Sequence, residues 1–196
     1  IRLGIQQLER AWKDGAPDFE SRLIKFSSTA IVQIDILSQI SHDFAQLAEL
    51  RKPELKQIDL SKAINSAVGL FGPEKVAVNG VDFKVIADMD SLVRLFNNLI
   101  SNAIEALADA NKTDPVLITA DESDTHVIIS INDKGIGISE DKLNRIFEPR
   151  FTTKRHGLGL GLAMVKSIAE QASGSVWAQS KENEGSTFYL SLLKGK

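Results

Sequence analysis

Residues 146–162 read IFEPRFTTKRHGLGLGL, and this stretch decides how the C-terminal part of the chain folds. Three alternating glycines run directly into residues 160–172, whose apolar spacing predicts an amphipathic helix. The start of a helix offers free N–H groups and the positive end of a dipole, so a phosphate group is a natural ligand there. The polar, basic residues 152–156 would then form a lid over the phosphates. A flexible glycine-rich loop without a ligand is the alternative.

Two common phosphate-binding motifs are excluded at this stretch. No Gly-Lys-Ser/Thr sequence follows the glycines, as a Walker loop requires. The dinucleotide fingerprint has a different glycine spacing and directly follows a strand, which is not the case here.

A second candidate motif, Asp133-Lys-Gly135-Ile-Gly137, directly follows a predicted strand at 127–132. Glycines allow the backbone to approach a flat ligand closely. A buried carboxylate beside them could accept a hydrogen bond from an exocyclic amine such as that of adenine. The alternative is a simple turn after a strand, and the motif alone does not decide between the two.

Two asparagines, Asn98 and Asn102, lie on a predicted helix at 90–109. Because they are four residues apart, both amides leave the same face of that helix. Asparagine is a poor residue for a helix interior, so the pair calls for a reason. An amide oxygen is a neutral, hard ligand that suits Mg²⁺ already neutralised by phosphates. Taken alone, the pair is better explained as two solvated side chains.

The remaining periodicity indicates an α+β domain. Helices and strands cluster in a way that predicts a two-layer α/β sandwich. Helices are predicted at 60–71, 90–109, 139–146 and 160–172, and strands at 75–78, 83–87, 116–120, 127–132, 175–180 and 187–193. Residues 185–188 open the last strand, where a hairpin turn is an equally good interpretation.

Residues 1–52 carry helical patterns and no strand signal. A break at 14–18 separates two helices, with Asp18 as the expected N-cap of the second. Such a narrow hairpin buries its apolar stripe fully only against a second copy, so we expect a homodimer through a four-helix bundle. Packing against the rest of its own chain is the alternative. Pro53 ends this region, and we therefore assign 1–52 to the hairpin domain and 53–196 to the α+β domain.

The composition excludes some partners. The net charge is −3, so we expect no nucleic-acid partner. The chain has no cysteine, which excludes disulfides and thiol chemistry. No apolar run reaches the roughly 18 residues that a membrane span needs. We expect any membrane contact to come through segments before Ile1, where the chain starts within a helical pattern.

Taken in their order and spacing, these motifs resemble those of the histidine kinases of two-component systems, within the wider group of Bergerat-fold ATPases. The resemblance covers about residues 59–193. The matching stretches are 98–106 (asparagine box), 133–138 (first glycine box), 146–149 (phenylalanine box), 157–162 (second glycine box) and 185–188 (last box). The end of the hairpin, 44–53, is similar to the nitrogen-sensor (NtrY-like) branch of this family.

The resemblance implies roles for individual residues, with ATP and Mg²⁺ as ligands. Asn102 matches the Mg²⁺ ligand, Asn98 a catalytic residue beside the phosphates, and Asp133 the carboxylate that reads adenine. Lys154 matches a catalytic lid residue near the γ-phosphate. The other matched nucleotide-binding positions are Gly135 and Gly137 against the base, Gly157, Leu158, Gly159, Leu160 and Gly161 in the phosphate loop, and Thr187 in the last box.

Three positions refine this resemblance. Phe147 and Phe151 match aromatic residues that anchor the lid, but Arg150 replaces a frequent phenylalanine. Glu105 stands where several branches carry a basic residue, so a phosphate contact is not expected there. Relatives that hydrolyse ATP have a glutamate at the position of Asn98, and an amide cannot act as a general base for water. Transfer to a protein nucleophile is therefore favoured.

The neutral imidazole of a histidine would be the nucleophile. His42 lacks the surrounding pattern of the family's phosphoacceptor, His126 begins a strand, and His156 lies in the lid. We therefore expect the acceptor histidine to precede Ile1 and this chain not to phosphorylate itself.

The leading hypothesis is the cytoplasmic core of a membrane-anchored bacterial sensor histidine kinase. It would phosphorylate a histidine and pass the phosphoryl group to the receiver domain of a response regulator. A catalytically silent, nucleotide-binding dimeric scaffold is the alternative. A hydrolytic ATPase of the chaperone or mismatch-repair kind is a third possibility, and Asn98 argues against it.

Overall fold

The computed structural model describes residues 2–48, 53–153 and 158–196, and the side chains of 35–48 are not included in that description. The described residues fall into two compact units, an N-terminal helical unit and a larger α+β unit that begins at Pro53. Within these ranges, no helix is both long and apolar enough to cross a membrane.

The N-terminal unit is the predicted helical hairpin. α1 covers Arg2–Lys13 and α2 covers Phe19–Ala48. Gly4 lets the helices approach, because a β-carbon there would collide with the ring of Phe26. The rings of Trp12 and Phe19 pack across the turn with centroids 5.2 Å apart.

Many of the apolar side chains that the structure describes in the hairpin remain exposed in the single chain. Ala11 is the one buried residue among those whose side chains are described in this unit. The large exposed apolar residues are Leu3, Ile5, Trp12, Leu23, Ile24, Ile31, Val32 and Ile34. The carboxylate of Asp18, the expected N-cap, forms an ion pair with Arg22 at 2.8 Å.

The α+β unit consists of seven strands and four helices in the described residues. They are β1 (Lys56–Asp59), α3 (Leu60–Val68), β2 (Val76–Asn79), β3 (Lys84–Ala87), α4 (Met89–Asp109), β4 (Val116–Glu122), β5 (His126–Asp133), α5 (Glu140–Leu143), α6 (Gly161–Gln171), β6 (Ser175–Lys181) and β7 (Gly185–Leu193).

Five of these strands form the main sheet, in the order β2-β4-β5-β7-β6. β2 is parallel to β4, and the other pairs are antiparallel. β1 and β3 form a small antiparallel pair, which a bridge between Val85 and Lys194 joins to the main sheet. The inward residues of β5, among them Ile129 and Ile131, are completely buried with the apolar sides of the helices. The two-layer α+β sandwich that the sequence predicts is thus confirmed.

α4 crosses the centre of this unit, and its sequence explains why. Leu92, Leu95, Phe96 and Leu99 recur at three- and four-residue steps and are buried, which places one face of the helix in the core. The Asp88 carboxylate accepts a hydrogen bond of 2.9 Å from the N–H of Ser91 and so caps the N-terminus.

The predicted boundaries hold for long elements and fail for short ones. α4 begins one residue before the prediction, whereas the helix predicted at 139–146 is reduced to α5. The chain after α5 turns instead, with the N–H of Arg145 donating to Lys142 O and that of Glu148 to Arg145 O, each at 2.8 Å. β1 is not among the predicted strands. It has only four residues and becomes a strand through its pairing with β3.

Candidate functional site

The polar face of α4 meets the beginning of α6 at Asn98. The side-chain N–H of Asn98 donates to Arg94 O one turn earlier, at 3.0 Å. A β-carbon on Gly161, the first residue of α6, would lie 2.7 Å from Asn98 Oδ1. Only glycine therefore leaves room for this amide, and the fold places the Asn98 oxygen against the start of α6. Asn102, one turn further along, is half-buried on α4.

The Asp133 carboxylate is buried at the end of β5 with 3% of its surface exposed. The N–H of Gly135 donates to Asp133 Oδ1 at 2.7 Å. Burial raises the pKa of Asp133. Hydrogen bonds from the backbone of Gly135 and Ser186, together with the positive charge of Lys112, act in the opposite direction. A buried carboxylate that receives only backbone N–H groups keeps acceptor capacity for a ligand.

The segment after Asp133 rests on the C-terminal half of α4. The N–H of Ile136 donates to Ala106 O at 3.1 Å. A β-carbon on Gly135 would lie 2.5 Å from the carbonyl carbon of Ala106, so glycine allows this close approach. Asn98, Asn102 and Ala106 follow one another at one-turn intervals. α4 thus carries contacts to the start of α6 and to the Asp133 segment about 12 Å apart along its axis.

The hairpin between β6 and β7 supports the Asp133 segment from the other side. Gly137 has φ +68°, and a β-carbon there would collide with Lys181 O. The N–H of Asn183 donates to Ile136 O at 2.7 Å. Ser180 Oγ accepts from the N–H of Ile138 at 2.8 Å and lies 2.9 Å from Ser186 Oγ. The two glycines of the first glycine box are thus held between α4 and this hairpin.

Thr187 is not brought to the Asp133 carboxylate. It pairs with Asn132, and its Oγ1 accepts from Asn132 Nδ2 at 2.7 Å. Since successive side chains of a strand point to opposite faces, Thr187 lies on the face away from Asp133. The neighbouring Ser186 pairs with Asp133, is buried, and lowers the pKa of the carboxyl through its backbone. Ser186 was missed because only the strand register tells which of the two residues faces inward.

The residues that flank the predicted lid, 152–156, meet just before α6. The N–H of Arg150 donates to Gly159 O at 2.9 Å. Gly159 has φ +67°, and a β-carbon there would lie within 2.6 Å of Arg150 C, with Phe151 O closer still. The guanidinium of Arg145 lies 4.9 Å from the centre of the Phe151 ring. This clasp fixes the chain at Leu158 and Leu160 just before α6, which begins at Gly161. Lys154 and Gly157 lie outside the described residues.

The histidines do not contribute to this site where they are described. The ring of His126 is half-buried, and its Nδ1 lies 2.8 Å from Thr125 Oγ1. His156 and the side chain of His42 lie outside the described residues. Across the part of the chain that the structure describes, no group of three or more His, Asp or Glu side chains could hold a metal ion. The amide oxygen of Asn102 is a donor of the kind that suits Mg²⁺ on a phosphate chain.

The chain is similar in sequence to known proteins. Residues 87–196 match the sequence model of the histidine kinase-, DNA gyrase B-, and HSP90-like ATPases. The sensor histidine kinase ZraS of Escherichia coli (strain K12) is 38% identical over 159 residues, which cover 76% of this chain and 34% of that protein. The chain therefore spans about a third of the length of this curated relative.

Solved structures show the same fold. The catalytic domain of histidine kinase ThkA superposes with a TM-score of 0.61 at 29% identity, over 72% of this chain and 96% of that domain. Full-length ShkA in complex with AMPPNP gives a TM-score of 0.67 over 92% of this chain and 40% of that chain. Its identity is 22%, so this second likeness concerns the fold alone.

Proposed function

This chain belongs to the family of histidine kinase-, DNA gyrase B-, and HSP90-like ATPases, and we propose that it is the ATP-binding catalytic core of a sensor histidine kinase. In this proposal residues 53–196 form the catalytic domain and residues 1–52 the dimerisation hairpin. The γ-phosphoryl group of ATP passes to a histidine and then to an aspartate on the receiver domain of a response regulator. A catalytically silent scaffold is not favoured, because the relatives are sensor kinases.

The position of Asn98 carries the proposal of transfer instead of hydrolysis. Its amide oxygen lies against the start of α6, where phosphates would bind to free N–H groups. An amide has no basicity with which to activate water near neutral pH. A phosphoryl group held there would consequently await a nucleophile from another segment. The protein's part is to position the two reactants and to stabilise charge.

The other residues bind the nucleotide in this proposal. The Asp133 carboxylate accepts a hydrogen bond from the exocyclic amine of adenine, and the backbone at Gly135 and Gly137 lies against the base. Asn102 supplies an oxygen ligand to Mg²⁺, which neutralises phosphate charge when it is bound. The loop that ends at Gly161 approaches the phosphates. Lys154 closes over the γ-phosphate from the lid.

The proposed partners follow from the hairpin and the relatives. The exposed apolar residues of α1 and α2, such as Ile24 at 64% exposure, support a second copy of the chain as the first partner. We place the chain in the cytoplasmic part of a membrane-anchored bacterial sensor. The nitrogen-sensor branch remains a proposal from residues 44–53 alone. Sedimentation equilibrium should show a dimer, and a monomer at high protein concentration would contradict the bundle.

Substitution of the proposed metal ligand tests the site directly. Asn102→Ala should weaken magnesium-dependent ATP binding by about 10-fold or more, since a hard oxygen ligand is lost. The circular dichroism spectrum should not change. Asn65→Ala is the matched control, because this asparagine is exposed on α3. Calorimetric titration with ATP in the presence and absence of Mg²⁺ gives the affinities, and equal values for Asn102→Ala and the wild type would refute the assignment.

The reaction is tested by the product. The chain, extended at its N-terminus by a histidine-bearing helical segment, should yield an acid-labile, base-stable phosphoprotein from γ-labelled ATP. Steady release of inorganic phosphate without a labelled protein would instead indicate a hydrolytic ATPase.

A further inference from the structure

We propose that Lys112 is a specificity-determining positioning residue of the nucleotide site: its ammonium group fixes the Asp133–Gly135 turn and maintains the Asp133 side chain as an acceptor for the exocyclic amine of adenine. The inference rests on the proposed function and adds the residue that tunes base preference. Lys112 lies outside all the sequence motifs, 21 positions before Asp133.

The backbone of Lys112 is fixed by the end of α4. Asn111 adopts a left-handed conformation with φ 54°. Its N–H donates to Ala108 O, and the N–H of Lys112 donates to Leu107 O, each at 2.9 Å. These two bonds form a Schellman motif, which ends a helix with a defined direction of the following chain. The Lys112 side chain therefore leaves from a fixed point at the end of the helix that carries Asn98 and Asn102.

The side chain of Lys112 reaches the Asp133 turn. Lys112 Nζ donates to Lys134 O at 2.6 Å. Lys134 lies between Asp133 and Gly135 in the sequence. The N–H of Gly135 in turn donates to the Asp133 carboxylate. A short, charge-assisted bond to the middle of a three-residue turn restrains the residues on both sides. Lys112 thus acts on the base-reading carboxylate through the turn and through its charge.

The charge of Lys112 matters because Asp133 is buried. Three groups oppose the effect of burial on this carboxyl: the N–H of Gly135, the N–H of Ser186 on β7, and the ammonium group at the end of α4. Among the described residues, Lys112 is the one formal charge in this set. An ionised carboxyl accepts a hydrogen bond from the amine of adenine, whereas a protonated one donates and suits a purine with a carbonyl at that position. Loss of the charge shifts Asp133 toward the protonated form.

Lys134 provides a matched control. It is also an exposed lysine, and it directly follows Asp133. Its ammonium group pairs with Asp114 Oδ1 at 2.8 Å and is not among the groups that act on Asp133. Lys134→Met therefore removes the same charge from the same turn without removing the bond to Lys134 O.

The experiment compares ADP with inosine diphosphate, which has a carbonyl oxygen in place of the exocyclic amine. Dissociation constants are measured by calorimetry on the whole chain at about pH 5.5 and about pH 8. We expect Lys112→Met to weaken ADP binding by about 3- to 10-fold, and more at the lower pH than at the higher pH, because loss of the charge raises the pKa of Asp133 further. Inosine diphosphate binding should not weaken, so the preference for adenine falls. Lys112→Arg should restore the preference, and Lys134→Met should resemble the wild type.

The outcomes separate this inference from the proposed function. If Lys112→Met retains the adenine preference and pH profile of the wild type, Lys112 has no such role. Equal weakening of both nucleotides at both pH values would show a merely structural contribution and would also overturn the inference. In either case the nucleotide site stands if the wild type binds ADP and Asp133→Asn does not. A wild-type chain that binds no ADP overturns both proposals.

Discussion

Gly161→Ala should impair nucleotide binding while leaving the fold intact. The new methyl group would lie 2.7 Å from Asn98 Oδ1, whereas ordinary contacts begin at 3.4 Å. The amide therefore has to retreat by about 0.7 Å. The colliding atom belongs to a side chain, so the backbone of α4 and α6 need not move. The new methyl group thus displaces the Asn98 amide, which is expected beside the phosphates, without itself contacting the nucleotide.

The effects of Gly161→Ala on the free energy of unfolding nearly cancel, whereas its effect on nucleotide binding has no compensating term. Displacement of Asn98 weakens its bond to Arg94 O, at a cost of about 1 kcal/mol. Alanine in place of glycine in a helix returns about 0.5–1 kcal/mol. The free energy of unfolding should therefore change by less than about 0.5 kcal/mol. A polar group misplaced by most of an ångström should weaken ATP binding by about 10-fold or more.

Urea denaturation followed by circular dichroism gives the stability, and calorimetric titration with ATP and Mg²⁺ gives the affinity. Gly69→Ala is the neutral control, because a β-carbon there would sit 3.4 Å from Asn65 O, in ordinary contact. Gly174→Ala is the destabilising control, because its β-carbon would collide with the backbone at Ser191 O. This substitution should lower the free energy of unfolding by more than about 2 kcal/mol. Wild-type affinity in Gly161→Ala, or a loss of stability as large as that of Gly174→Ala, would contradict a displacement confined to the Asn98 amide.

Three further predictions concern stability, each measured by urea denaturation. Burial raises the pKa of Asp133, so the wild type loses stability as the pH rises through that raised pKa. Asp133→Asn lacks this loss and should gain on the wild type as the pH rises above about 4, the usual pKa of an aspartate; a constant difference would contradict it. Ser173→Gly should stabilise by about 0.5–1 kcal/mol, because Ser173 ends α6 with φ 57°, and no gain would argue against strain there. Ser180→Ala should destabilise by about 1–2 kcal/mol because Ile138 loses its hydroxyl partner, and a neutral effect would show that water replaces it.

The sequence predicts the fold where local pattern is strong. α4 is correct to one residue, because its apolar spacing over 21 residues can belong only to a helix with one buried face. β1 is not predicted, because four residues carry too little pattern and depend on pairing with β3. α5 is shorter than predicted because the chain after it forms turns, and apolar residues such as Ile146 are buried without belonging to a helix.

The candidate site divides in the same way. Asp133, Gly135 and the asparagines of α4 are found from motifs, since each motif is a short run of residues. Ser186 and Lys112 are not found, because their importance arises from contacts between distant parts of the chain. The bond from Lys112 to Lys134 O spans 22 positions, and no local pattern announces it. Which of Ser186 and Thr187 faces Asp133 depends on a register that a slip by one residue would reverse.

The two contacts of α4, at Asn98 and at Ala106, impose a limit on how this site can change in evolution. A helix advances about 1.5 Å and turns about 100° per residue. One inserted or deleted residue between these two positions would turn the asparagine face away from the Asp133 segment, even if the core repacked. Side chains in this stretch can be exchanged one at a time, but its length is fixed. Changes in length are therefore expected to accumulate outside this stretch and beyond Lys112, where residues 113–115 lead into β4.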